Sequence, residues 1–375
     1  MPYNSFVVKT PLPSWLDVPS ADLDQWFGAR GHKPMRRRQV HRWLLVGRAE
    51  TFEQMTDLPV ALRQELAEAF VPFGTRIDTH QAAQDATHKL LLRLADDQTI
   101  ECVLIQDAGR HTACISTQVG CGMGCVFCAS GLNGVVRNLT TGEILEQLLR
   151  LRNLLPAGDR LTHVVVMGMG EPLANLDNLL AALEIAGARD GLDLGARHIT
   201  ISTVGLPAKI RRLADLGKQY HLAVSLHAPT EGLRTRIVPT NNKTGLGPIL
   251  EAADYFFAKT GRQVTFEYVL LGGLNDSAEH ARELVALLRG RPAHVNIIPF
   301  NEVEGLEFRR PRQDVMTKFT DLLRKGGVSV KVRKRKGSDI DAACGQLRRR
   351  TDGRVPLPTV PNLPVPQPET MAGVE

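Results

Sequence analysis

The chain predicts an α/β fold built on parallel strands, and three observations carry that reading. From residue 114 onward, β-branched runs (CISTQ, THVVVMG, HITISTVG, HLAVSLHA, VTFEYVLL, HVNIIPF) alternate with helical patterns such as TTGEILEQLLRLRNLL and NLDNLLAALEIAG. Such alternation gives parallel strands with helices outside them, as a barrel or as an open doubly wound sheet. Second, a motif follows each run. A cysteine loop follows the first, GMGEP the second, Thr203-Val204-Gly205 ends the third, His227 the fourth, GGLND follows the fifth and Asn301 the sixth. All lie at strand carboxyl ends, the face on which barrel enzymes build their sites, and core packing gives no reason for that one-sidedness. Third, 375 residues suffice for one large core and an accessory unit.

The elements follow in order. Residues 19–70 read as helical: DLDQWFGA and RRRQVHRWLLVG place apolar residues at helical spacing, and PVALRQELAEAF puts Leu62, Leu66 and Ala69 on one face. TIECVLI at 99–105 is strand-like and leads into the core. Residues 351–375 carry six prolines and little periodicity, the composition of a disordered tail. The expected organisation is therefore an N-terminal, mostly helical accessory domain over 1–98, a catalytic core over 99–347 and a basic, then proline-rich tail over 348–375.

Composition narrows the function. Hydrophobic residues make up 43% and charged residues 23%, as in a globular chain, and no stretch approaches the roughly 18 apolar residues that span a bilayer. The N-terminus MPYNSFVVKTPLPSW lacks a secretory pattern. Six cysteines, three of them clustered, do not form a secreted disulfide framework. The net charge of +6 is unevenly placed. Basic residues crowd 30–42, 331–336 and 348–350, and three such clusters around a core point to a polyanion such as RNA rather than to a solvated face.

Cys121, Cys125 and Cys128 are the most informative residues, a CxxxCxxC run within CISTQVGCGMGCVFCAS. Three thiolates can hold three irons of a 4Fe–4S cluster and leave the fourth iron open, whereas such clusters usually take four cysteines. A structural zinc normally takes four ligands in CxxC pairs, and no second pair exists. An oxygen-sensitive cluster also calls for a reducing compartment, which indicates the cytoplasm.

The run is the signature of the radical S-adenosylmethionine (SAM) superfamily. With Cys114 seven residues upstream, GMGEPL at 168–173, SLHA at 225–228, PFN at 299–301 and DIDAACGQL at 339–347, the chain resembles the RlmN/Cfr family of RNA adenine methyltransferases over roughly residues 35–347. The resemblance implies a partial (β/α)6 barrel. It implies a 4Fe–4S cluster on Cys121, Cys125 and Cys128, with SAM on the open iron. It assigns SAM contacts to Gly170, Glu171, Ser202, Ser225, Leu226, His227 and Asn301. It implies 23S rRNA and tRNA as partners, a reduced flavodoxin- or ferredoxin-type electron donor, and a cytoplasmic monomer without membrane attachment. Arg36-Arg37-Arg38-Gln39-Val40 and Trp43 resemble the family's accessory RNA-binding region, which would grip phosphates without reading sequence.

The family chemistry suits these residues. Carbon 2 of adenine is electron-poor and cannot attack the SAM methyl group. In the family, a first SAM methylates a cysteine thiolate, here Cys344. A second SAM is reductively cleaved, and the resulting 5′-deoxyadenosyl radical takes hydrogen from the S-methyl group. The methylene radical adds to adenine, a base removes the ring proton, and Cys114 resolves the adduct by forming a disulfide with Cys344. Taken alone, Cys344 after two alanines would be an inert core residue, but the preceding KVRKRKGSD favours its thiolate. Pattern alone makes Glu101 an exposed carboxylate on an alternating strand; the resemblance makes it the proton acceptor. Cys102 reads as a buried small hydrophobe without a role. The implied targets are C2 of adenosine 2503 in 23S rRNA and C2 of adenosine 37 in tRNAs, and the shared motifs do not separate these from Cfr-type attack at C8.

Overall fold

The computed structural model describes residues 11–303 and 305–347. The expectations for 348–375, including the Arg348–Arg350 cluster and the proline-rich tail, lie outside the described residues.

Three helices, Ser20–Ala29, Met35–Leu45 and Val60–Ala69, open the chain. Their apolar faces close a small core of Trp15, Leu23, Phe27, Val40, Leu44 and Phe52 with Leu62 and Leu66. Trp15 meets Phe27, Phe52 and Phe70 edge-on at 6.0, 6.4 and 5.6 Å, a geometry that adds to simple burial. This unit docks on the helix Thr141–Asn153. Buried Glu146 accepts hydrogen bonds from Ser14 Oγ (2.8 Å) and from the backbone N–H groups of Gly74 and Thr75 (2.7 Å each). Arg152 reaches back to the carbonyls of Leu44 (3.0 Å) and Leu45. Each of these buried polar groups is therefore paired, as burial requires.

One sheet organises the rest. Strands β1 (Arg76–Ala82), β2 (His88–Arg93), β3 (Thr99–Asp107) and β4 (Arg110–Cys114) form an antiparallel meander. A short separate pair, β5 (Gln118–Gly120) with β6 (Val135–Asn138), frames the cysteine loop. The main sheet continues in parallel from β4 through β7 (His163–Val166), β8 (Ile199–Thr203), β9 (His221–Ser225), β10 (Val264–Leu270) and β11 (Ala293–Pro299) to β12 (Ser329–Val332). The six expected parallel runs are β4 and β7–β11. Among the described residues β1 and β12 are edges, so the barrel is partial, as anticipated.

Three details differ from the sequence reading. The first core run ends at Cys114 rather than Gln118, because the chain then turns to bond the GMG segment, with Thr117 N donating to Met169 O at 2.8 Å. A seventh parallel strand, β12, lies in a segment whose lysines and arginine masked its alternation. Residues 76–93, ahead of the expected boundary at 98, are strands of the main sheet.

The helices have ordinary local causes. Thr140 and Glu143 form a capping box that starts the helix Thr141–Asn153, with Glu143 N to Thr140 Oγ1 at 3.1 Å and Thr140 N to Glu143 Oε2 at 2.9 Å. Pro207 opens the next helix but one, where its fixed φ costs nothing. The main core runs from β2 to β11 and holds Cys102, fully buried, as expected of a small hydrophobe.

Candidate active site

At the carboxyl ends of the parallel strands lies a cavity of about 150 Å³ lined by Cys121, Cys125, Cys128, Gly170, Glu171 and Ser202, and by Ser225, His227, Asn301 and Cys344. Residues from six separate segments of sequence thus meet in one place. Leu226 is the exception among the expected SAM contacts. Its side chain is fully buried in the core and does not line the cavity; its N–H donates to Glu267 O at 3.0 Å and its carbonyl accepts from Arg234 at 3.1 Å.

The cysteine loop is closed at its base by backbone geometry. Gly120 has φ +77°, and a Cβ there would stand 2.1 Å from Gly134 O, so only glycine fits. Cys121 N donates to Gly134 O at 2.8 Å, and Cys128 N to Cys125 O at 3.1 Å. Burial pushes the Cys121 thiol up to about 12, and pushes Cys125 and Cys128 upward as well, with neighbouring thiols adding to the cost of ionising each. All three cysteines line the cavity and are only partly buried, so a bound metal could take them as thiolates. Among the described residues no three His, Cys, Asp or Glu side chains converge on a single ion. Ligands of three different irons need no such convergence, so the donor set fits a cluster.

The GMG turn forms the opposite wall. A Cβ on Gly168 would meet Ser116 Oγ at 2.6 Å, and one on Gly170, at φ +103°, would meet Gln118 Cβ at 2.7 Å. Both glycines let the turn lie against the segment entering the cysteine loop. Ser116 Oγ locks that contact, accepting from Met169 N at 2.8 Å and donating to Glu101 O at 2.7 Å. Glu171 is buried; its carboxylate accepts from Leu173 N (3.0 Å) and Val204 N (2.8 Å), and burial raises its pKa.

His227 follows β9 in the left-handed region, at φ +62°. Its Nδ1 accepts from Val269 N at 3.1 Å, which puts the ring proton on Nε2. Burial, helped by the Arg234 cation, pushes its pKa down to about 3, so the ring is neutral. Arg234 is a residue the sequence reading missed. It is almost wholly buried and donates to the carbonyls of Leu226 (3.1 Å) and Ser225 (3.0 Å) and to Val204, tying together the ends of β8 and β9. An arginine in LRTRIV resembles any solvated helix residue, so nothing local announced it.

Cys344 belongs to both this cavity and a second, of about 420 Å³, which fills the gap between β4 and β12 and is also lined by Cys114. Asn301 Nδ2 donates to Cys344 O at 3.1 Å, and Ala129 N donates to Gly345 O at 2.8 Å, so the Cys344 turn is seated against the cysteine loop. Cys114 closes β4 and is nearly buried. Burial, then the nearby Cys344, pushes its thiol up to about 12, while the Arg333 cation opposes the rise. Arg333 lines both cavities and was read only as part of a basic cluster. Glu101 is not exposed as the strand pattern suggested. It is 1% exposed on β3, between β2 and β4, and Lys89 Nζ stands 3.3 Å from its carboxylate. Lys89 also donates to Asp341 O at 3.3 Å. Glu101 lies outside both cavities, two residues from Val103, which pairs with Cys114. A larger hollow of about 520 Å³ lies beside the start of the helix Ala278–Leu288 and contains none of the expected site residues.

In the basic N-terminal segment, Arg37 pairs with Asp24 at 2.7 Å and Arg36 bonds Gln39 at 2.9 Å, while Lys33, Arg38 and Arg42 remain exposed.

Comparison with known proteins agrees with this geometry. The radical SAM superfamily matches residues 115–285, and the ribosomal RNA large subunit methyltransferase N-terminal domain matches residues 15–71. A probable dual-specificity RNA methyltransferase RlmN of Rhodopirellula baltica is 55% identical over 87% of this chain and 88% of its own length. The Bacillus subtilis protein of the same name is 43% identical over 92% of this chain and 95% of its own. The crystal structure of a radical SAM methyltransferase from Sphaerobacter thermophilus superposes with a TM-score of 0.86 at 41% identity, covering 90% of this chain and 99% of that one. The cofactors are those of the superfamily, a 4Fe–4S cluster and SAM. With both matched segments in order, the cysteine loop and GMG turn on one cavity, and identity sustained over most of its length, the chain belongs to the RlmN family of radical SAM RNA methyltransferases.

Proposed function

We infer that this enzyme methylates C2 of adenosine 2503 in 23S rRNA and C2 of adenosine 37 in tRNAs, with Cys344 as methyl carrier and Cys114 as resolving thiol. The observation that carries the reading is the shared cavity of Cys114 and Cys344, which adjoins the cavity of the three clustered cysteines through Cys344 itself. When bound, the cluster and SAM supply a transferable methyl group and, on one-electron reduction, a hydrogen-abstracting radical. Cys121, Cys125 and Cys128 hold the cluster. Gly170, Glu171, Ser202, Ser225, His227 and Asn301 hold SAM, with Leu226 buried behind them.

Cys344 takes the methyl group on its sulfur and later links to the adenine carbon through the methylene. Glu101 accepts the ring proton. Once the adduct has given up its unpaired electron, the Cys114 thiolate attacks the Cys344 sulfur; a disulfide forms as the sulfur–carbon bond breaks, the bonding pair stays on the methylene carbon, and that carbon takes up a proton to become the methyl group on the base. Burial keeps Cys114 protonated until a neighbour takes its proton, which protects it while the carrier is loaded. Lys33, Arg38 and Arg42 of the N-terminal helical unit supply phosphate contacts. The target base leaves its stack, at a cost of roughly a few kcal/mol, so a loop or hairpin is the suitable RNA. No helix among the described residues is long and apolar enough to cross a membrane. A cytoplasmic monomer served by a reduced flavodoxin- or ferredoxin-type donor completes the reading.

The test is mass spectrometry of adenosines from 23S rRNA and tRNA of a strain lacking the gene and of the complemented strain. C2-methyladenosine should vanish from both RNAs and return with the gene; C8-methyladenosine in its place would overturn the assignment.

A further inference from the structure

The barrel has a second basic opening at the end opposite the active site. Arg110, His163 and His221 are the first residues of β4, β7 and β9, and all three line a cavity of about 360 Å³ with Arg197, His198 and Lys331. Arg333 and Glu267 form its roof, with Asn296 donating to Glu267 Oε1 at 3.1 Å and Arg333 at 3.9 Å from Oε2. Four permanent cations therefore face one carboxylate. Among the described residues, none of Arg110, Arg197 and Lys331 has a carboxylate within ion-pair distance.

The lower end of such a barrel usually serves stability. Here Arg110, Arg197 and Lys331 are exposed around the opening, so their charges add to one positive field open to an anion. At its rim His163 Nε2 and His198 Nδ1 share a hydrogen bond of 3.3 Å, and burial, then Arg110, His198 and His221, pushes the His163 pKa down to about 4. The cavity also joins the cavity of Cys114 and Cys344, because Arg110, Val165, Met167, Lys331 and Arg333 line both. Arg110 begins the strand that Cys114 ends, so the two lie about 13 Å apart along it.

We propose that this cavity is a phosphate-binding subsite that anchors the RNA strand flanking the target nucleotide after it passes through the gap between β4 and β12. The subsite rests on the RNA-methyltransferase reading and adds to it the path of the strand. Its chemistry is that of any phosphate, so the test separates RNA from free anion.

RNA affinity of the full-length, cluster-loaded protein for a stem-loop substrate is measured against salt, for wild type and an Arg110→Ser/Arg197→Ser variant of matching iron content. The subsite predicts about tenfold weaker binding at low salt and a log–log salt slope shallower by about 0.7 for each phosphate left without its cation. Unchanged affinity and slope would overturn it. In wild type alone, the ring resonances of His163 and His198 should move with RNA. They should not move with RNA whose flanking linkages are neutral methylphosphonates. If inorganic phosphate moves them and RNA does not, the cavity binds a small anion and the strand path is wrong. C2 methylation with an unaltered slope would leave the enzyme reading intact and remove only the subsite.

Discussion

Replacing Cys121, Cys125 or Cys128 by Ala should remove most of the iron and all SAM cleavage, measured on anaerobically reconstituted protein; a triple variant with full iron would place the cluster elsewhere. Their spacing was legible in the sequence because cluster ligation demands a local pattern. Gly170 offers a test of a different kind. Ala there would put a Cβ 2.7 Å from Gln118 at a backbone φ of +103°, so on the order of 1–3 kcal/mol of strain falls on the SAM wall. SAM binding by calorimetry should weaken at least tenfold while iron content holds. His227 links burial to pH. Its folded pKa of about 3 lies below the ordinary 6.5, so its stabilising effect is complete above pH 6.5 and is lost as pH falls toward 3. Denaturation of wild type and His227→Gln at pH 7.5 and pH 5 should show the stability gap narrowing at the lower pH; a constant gap would mean that the ring is not held neutral. Arg234 and the burial of Glu101 were not legible, because both depend on partners brought from other elements, the ends of β8 and β9 for Arg234 and Lys89 of β2 for Glu101, rather than on any local pattern.

At the scale of elements, the hairpin β1–β2 holds the segment that carries Cys344. Gly337 N donates to Asp85 Oδ2 at 3.0 Å, Gln84 N to Asp339 Oδ2 at 3.2 Å, and Lys89 reaches Asp341 O. A Cβ on Gly337 would meet Thr87 Cγ2 at 2.8 Å, so the packing is tight. Lys89→Met removes both a tie to that segment and a cation beside buried Glu101. Removing one partner of a buried pair costs about 3–5 kcal/mol. The variant should melt earlier and carry less S-methylcysteine at Cys344 by peptide mass spectrometry, with iron retained. Full methylation at normal stability would show that the hairpin does not seat the loop. The parallel strands were readable from their β-branched runs, and their carboxyl-end motifs were readable with them. The hairpin's role was not, since Lys89 lies 255 residues from Cys344 and nothing near either residue marks the contact. Strand β12 was hidden for a related reason: Lys331 and Arg333 face cavities rather than core.

At the scale of the whole molecule, the open barrel matters because β4 and β12 leave a gap, and the two outlying cysteines face into it from opposite sides of the chain's length. The N-terminal helices dock on the helix Thr141–Asn153, through Glu146 and Arg152, which fixes a basic unit beside the same core. The sequence order of the motifs revealed the fold family, but the meeting of Cys114 with Cys344 is a product of sheet order and emerges only in three dimensions. The most direct measurement is therefore a denaturing gel of Cys114→Ala and Cys344→Ala proteins after turnover with RNA. Nuclease-sensitive, covalently linked RNA is expected on Cys114→Ala, which keeps the carrier and lacks the resolving thiol, and none on Cys344→Ala, with a full cluster on both. Two variants that behave alike, with no trapped RNA on either, would contradict the paired-cysteine mechanism.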